Sequence, residues 1–209
     1  MNVYFAIDTS ESVALKEQPW GNLVEELKIF IKLLVEKLDR SHTSTSVTPS
    51  PSPALSSSRI RWAYGGLHFS DRVEIFSEVE TDTQMFLSRL QPVRYIGRGT
   101  HLDCALRNMT DRVRFAGRDR RPRLQYGVLL TDGYITGSPC GGVQQAAEEA
   151  KAAGMKIFVV ATDKETVENE LKQIASPPVE VYRRDYLAYP STPRQAAVNS
   201  IAESIVSPY

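Results

Sequence analysis

The sequence predicts an α/β fold: a doubly wound, mostly parallel central sheet with one antiparallel edge strand and helices on both faces. Three observations carry that prediction. Val3–Ile7 is apolar throughout rather than alternating, the pattern of a strand covered on both faces, and Leu124–Thr131 and Lys156–Thr162 read as further buried strands. Between them lie segments with helical spacing, and strand–helix alternation is the mark of parallel strands joined by crossovers. One pair of strand-like runs, Ile60–Phe69 and Val73–Phe76, is separated only by a polar turn at Ser70-Asp71, so these two form a hairpin.

Taken in order, the first strand ends on Asp8 and is followed by a loop over Val13–Pro19. Trp20 or Gly21 then opens a helix. Leu23, Leu27, Phe30, Leu34 and Leu38 give it an amphipathic face, widened by Ile29, Ile31, Leu33 and Val35. From Ser41 to Ser58 every residue is Ser, Thr or Pro except His42, Val47, Ala54 and Leu55. Such a stretch cannot bury enough surface to offset its conformational entropy, so 41–58 is expected to be a disordered surface loop. Gly65-Gly66 marks a close backbone approach within the hairpin. Thr81 or Asp82 caps a short helix through Phe86, Leu87 and Leu90.

The glycines around Arg98 let the chain approach something closely before a helix through Leu106, Met109 and Val113. Thr100 is open to two readings: the N-cap of that helix with Asp103 completing a capping box, or a free hydroxyl at the sheet edge. Gly117–Arg123 is a basic linker, best read as a solvated loop. A strand follows at Leu124–Thr131, a helix at Val143–Ala153 stopped by Gly154, and a strand at Lys156–Thr162. Asp163 or Thr166 starts a helix through Leu171 and Ile174. A short strand at Val179–Tyr182 and a helix at Thr192–Val206 close a single domain covering 1–209.

Composition narrows the function. The 209 residues are 42% hydrophobic and 24% charged, ordinary for one globular domain. Lys+Arg and Asp+Glu are both 25, so no overall field recruits nucleic acid or an anionic membrane surface. No apolar run is long enough to span a bilayer. No signal peptide precedes the first strand, an abrupt start that reads as a fragment.

The candidate site is a set of oxygens. Asp8, Ser10 and Ser12 leave the end of the first strand as D-x-S-x-S, and Asp132 leaves the end of another in Thr131-Asp132-Gly133. Ligand crevices of open α/β sheets lie at such strand ends. With Thr100 these make two carboxylates and three hydroxyls from three separated segments. Hard oxygens of this kind suit Mg²⁺ before Ca²⁺. The bland alternative is that Asp8 and Ser10 only cap the following turn.

This constellation resembles the metal-ion-dependent adhesion site of the von Willebrand factor A domain, whose D-x-S-x-S, Gly-Thr and T-D-G elements occur here in the same order. Trp62–Asp71, Asp103–Leu106, Asn108–Thr110 and Ile135–Gly142 narrow the resemblance to the N-terminal A domains of collagen VI chains, the alpha-2 type. What the resemblance implies is a secreted extracellular-matrix module without catalysis. It would bind Mg²⁺ (or Mn²⁺/Ca²⁺) at Asp8, Ser10, Ser12, Thr100 and Asp132. Its partners would be other collagen VI-like chains and matrix or cell-surface proteins, in a hetero-oligomer. The same resemblance implies a Cys104–Cys140 disulfide, whereas two cysteines by themselves also read as buried thiols. Asn108-Met109-Thr110 is an N-glycosylation sequon in a predicted helix. Three features depart from the family: the 41–58 stretch, Leu102 where many members carry Thr, and the absence of a Gly-X-Y tract.

A rival reading is a Mg-dependent phosphoaspartyl-type hydrolase, which also begins with an aspartate at the end of a first strand. Such an enzyme needs an acid/base carboxylate two residues on, and Ser10 stands there.

Overall fold

The computed structural model describes residues 1–15, 21–41, 61–116, 124–185 and 193–206. The expected Ser/Thr/Pro loop from residue 42 onward, the Trp20 helix start and the basic linker 117–123 lie outside them. Among the described residues six strands form one sheet in the order β3-β2-β1-β4-β5-β6. They are β1 (Asn2–Asp8), β2 (Ala63–Phe69), β3 (Val73–Glu80), β4 (Gln125–Thr131), β5 (Met155–Ala161) and β6 (Arg183–Asp185). All pairings are parallel except β2 with β3, the edge hairpin. The first strand is thus central. The chain winds outward to β3, returns to lay β4 on the other side of β1, and continues to β6. The reversal between β1 and β4 is the switch point where such sheets open a crevice.

Helices cover both faces: α1 (Glu11–Ala14), α2 (Asn22–Ser41), α3 (Thr83–Leu90), α4 (Leu102–Ala116), α5 (Val143–Ala152), α6 (Glu168–Ile174), α7 (Val179–Tyr182) and α8 (Pro193–Val206). Alternate residues of β1 show why the strand is apolar throughout. Phe5 stacks on Phe86 of α3 at 5.7 Å, while Tyr4 faces the side of α4 and Arg112. α2 packs against α8, and α4 against α5. Asp82 caps α3, accepting from the amides of Gln84 and Met85.

Several boundaries differ from expectation for identifiable reasons. Val179–Tyr182 is a helical turn, not a strand, and the edge strand is Arg183–Asp185. The turn carries the Tyr182 ring to 4.7 Å from Phe158, so burial of an aromatic outweighs the strand preference of Val-Glu-Val. The helix expected from Asp163 or Thr166 starts at Glu168 instead, because the preceding loop turns back and the Val167 amide donates to the Asp132 carbonyl at 3.0 Å. Residues 11–14, read as turn and loop, form the short helix α1. Gly65 and Gly66 make room for rings, and Gly65 also lets the Val79 main chain come close, its amide nitrogen 3.2 Å from where a β-carbon would stand. A β-carbon at Gly65 would meet Tyr4 at 2.6 Å, and one at Gly66 would meet Phe76 at 2.2 Å.

Candidate metal centre

The five predicted oxygen donors lie in three loops at the C-terminal rim of β1 and β4. Asp8, Ser10 and Asp132 are fully buried, Thr100 is 1% exposed, and Ser12 is half-buried. Asp8 is the hub. Its Oδ1 accepts from the Ser10 amide at 3.0 Å, and its Oδ2 accepts from the Thr131 hydroxyl at 2.6 Å. The second bond crosses from β1 to β4, so the threonine before Asp132 aims the carboxylate of the first loop. Ser10 occupies the N-cap of α1 but makes no side-chain cap bond, and its Oγ lies 3.1 Å from Ser12 Oγ. The capping alternative thus fails for the Ser10 hydroxyl but holds for Asp8, whose carboxylate accepts from the amide two residues on, and the two serine hydroxyls meet each other.

The Thr100 loop is tied to both neighbours. The amides of Ile96 and Gly97 donate to the Thr9 carbonyl, and the Glu11 amide donates to the Arg98 carbonyl. On the other side, the Thr100 amide donates to Thr136 Oγ1 at 2.7 Å, and the Thr136 amide donates to the Thr100 carbonyl at 3.2 Å. Thr100 does not cap α4 through a box with Asp103. Asp103 Oδ1 accepts from the Cys104 amide, and its Oδ2 accepts from the amides of Cys140 and Gly142. Sequence reading missed Thr136, which carries no local signal because its partner is 36 positions away. His68 is buried between Thr9 and Glu74, and burial holds its imidazole below its ordinary pKa.

The electrostatics are those of a crowded anionic site. Burial pushes the Asp8 carboxyl up to about 7, the charge of Asp132 adds to the rise, and bonds from Ser10 and Thr131 oppose it. Asp132 Oδ1 accepts from the Tyr134 amide at 3.0 Å. Two carboxylates and three neutral hydroxyls are all hard donors, a set that fits a small divalent cation. The proton that burial and mutual repulsion drive onto Asp8 is what such a cation would replace.

In a second grouping, one ligand atom from each of Asp103, Cys104 and Cys140 lies within 4.8 Å of the others. It is not a metal site. The cysteines are joined in a disulfide and offer no thiolate, and Asp103 is engaged by backbone amides. The bridge and Asp103 fasten the β4–α5 loop to the first turn of α4. On that helix Asn108 is half-buried, its Nδ2 donating to the Cys104 carbonyl, and the Thr110 hydroxyl donates to the Leu106 carbonyl.

The chain belongs to the von Willebrand factor type A domain family, whose model matches residues 2–188. More narrowly, it is 40% identical over 205 residues to the collagen alpha-2(VI) chain of Gallus gallus, covering 98% of this chain and 19% of that one. Among solved structures it is similar to proximal thread matrix protein 1 from the mussel byssus "with zinc occupied MIDAS motif", with a TM-score of 0.70 at 18% identity, covering 96% of this chain and 48% of that one. It is also similar to the manganese-loaded TRAP protein of Plasmodium vivax, with a TM-score of 0.63 at 14% identity, covering 96% of this chain and 71% of that one.

Proposed function

We propose that this domain is a non-catalytic structural and adhesion module of a collagen VI-like chain in the extracellular matrix, binding protein partners through a divalent-cation site. The observation that carries the reading is the burial of Asp8 beside Asp132 at the switch point, with Ser10 and Ser12 hydroxyls converging next to them. Ser10, Ser12 and Thr100 would contact Mg²⁺ (or Mn²⁺/Ca²⁺), directly or through water, while Asp8 and Asp132 supply the compensating charge. A cation held there would offer an electropositive position to a Glu or Asp carboxylate of the partner. Thr131 keeps Asp8 aimed, and the Ser10 amide holds its other oxygen.

The likeness to a collagen VI chain supports matrix proteins, cell-surface proteins and other collagen VI-like chains as partners, with hetero-oligomerisation a property of the longer chain. The disulfide favours a secreted, oxidising setting. Asn108 would take a glycan before α4 closes, since its amide is engaged in the folded helix. A glycosidase-sensitive mobility shift, absent in Asn108→Gln, tests that. Ser10 in place of an acid/base carboxylate weighs against the hydrolase reading, and a Mg²⁺-dependent phosphatase assay should stay at background. The deciding experiment is pull-down from matrix extract with Mg²⁺ or EDTA, using wild type and Asp8→Ala. Capture is expected only by wild type with Mg²⁺; equal capture in EDTA would remove the cation from the mechanism.

A further inference from the structure

Thr136 lies in the Ile135–Gly142 stretch and has no ligand role in the site described above. We propose that it is a further positioning residue of the cation site, placing Thr100 relative to Asp132; this rests on the cation reading. Both main-chain polar groups of Thr100 go to this one residue: its amide to Thr136 Oγ1 at 2.7 Å, and its carbonyl to the Thr136 amide at 3.2 Å. Paired bonds on either side of the Cα fix the direction in which the Thr100 side chain leaves the main chain.

Gly99 is part of the same device. A β-carbon there would stand 2.2 Å from Thr136 Oγ1, so any other residue would push the hydroxyl away. Gly99 is not among the glycines in the left-handed region, and its requirement is therefore steric. The loop that presents Thr136 is held at both ends. Asp132 roots it on β4, while Asp103 and the Cys104–Cys140 bridge fasten its far end to α4. Thr136 itself is exposed, so its hydroxyl has little stake in the core. A ligand set tolerates only small misplacements, and the groups that orient it matter nearly as much as the ligands.

The test is calorimetric titration of MgCl₂ into wild type, Asp132→Ala, Thr136→Val, Thr136→Ser, Thr136→Ala, Gly99→Ala and the Gly99→Ala/Thr136→Ala double variant. Thermal denaturation in EDTA and the Thr100 amide resonance are read in parallel. Thr136→Val should weaken Mg²⁺ about fivefold, the factor for one lost hydrogen bond of ordinary net strength. Its melting temperature in EDTA should stay near wild type while the Thr100 amide shifts. Thr136→Ser should restore affinity. Gly99→Ala should weaken binding when Thr136 is present and add less once it is alanine, since neighbours in contact are non-additive. Wild-type affinity in Thr136→Val, or strict additivity of the pair, overturns the proposal. If Asp132→Ala loses Mg²⁺ while Thr136→Val does not, the positioning role falls and the cation site stands. If wild type itself takes no Mg²⁺, both fall.

Discussion

Asp8 decides how this site responds to pH. Its folded pKa, about 7, lies above its ordinary 3.8, because burial and the Asp132 charge disfavour the ionised form. The folded state therefore holds a proton that the unfolded chain has released, and stability falls as pH rises between those two values. In EDTA the melting temperature should drop across that window, and Asp8→Asn should flatten the drop. Saturating Mg²⁺ should shrink it as well, since a bound cation would take over the proton's task. A wild-type profile without slope in EDTA would contradict the coupling of the two buried carboxylates. Ser10 shows how far one residue's role depends on its setting: it sits in a capping position, yet its hydroxyl is turned to Ser12.

At the scale of elements, the edge hairpin and the β4–α5 loop carry the testable energetics. Gly66 in β2 lies under the Phe76 ring, which packs 5.8 Å from Phe86. Gly66→Ala should displace that ring and destabilise the domain by about 1–3 kcal/mol, the usual cost of overpacking. Urea denaturation measures it, and an unchanged midpoint would mean that Phe76 yields freely. The Cys104–Cys140 bridge spans a sequence separation of 36. Replacing both cysteines by serine should cost about 2–4 kcal/mol, largely through the freer unfolded chain. Two reactive thiols in secreted, unreduced material would show that the bridge does not form. Elements with strong periodicity, such as β1, α2 and β4, were legible in the sequence. Val179–Tyr182 was not, because a helical turn that buries Tyr182 on Phe158 leaves no pattern in four residues.

For the molecule as a whole, a cation bound at the proposed site would couple to global stability, because its donors meet only when the loops are assembled. Mg²⁺ at a hundred times its dissociation constant should add about 2.7 kcal/mol to the unfolding free energy of wild type and little to Asp8→Ala. Thermal denaturation across a MgCl₂ series reads this directly, and an unmoved wild-type transition would deny that the folded state prefers the ion. Among the described residues no helix is long and apolar enough to cross a membrane. The amino-acid sequence by itself determined β1 to β5, most helices and the candidate donors Asp8, Ser10, Ser12, Thr100 and Asp132, but not β6, since periodicity and short motifs are local properties. Tertiary structure alone decided that β4 lies against β1, that Thr131 reaches across to aim Asp8, and that Thr136 grips Thr100. Those are contacts between distant segments, settled by which faces must be buried together, and no stretch of sequence records them.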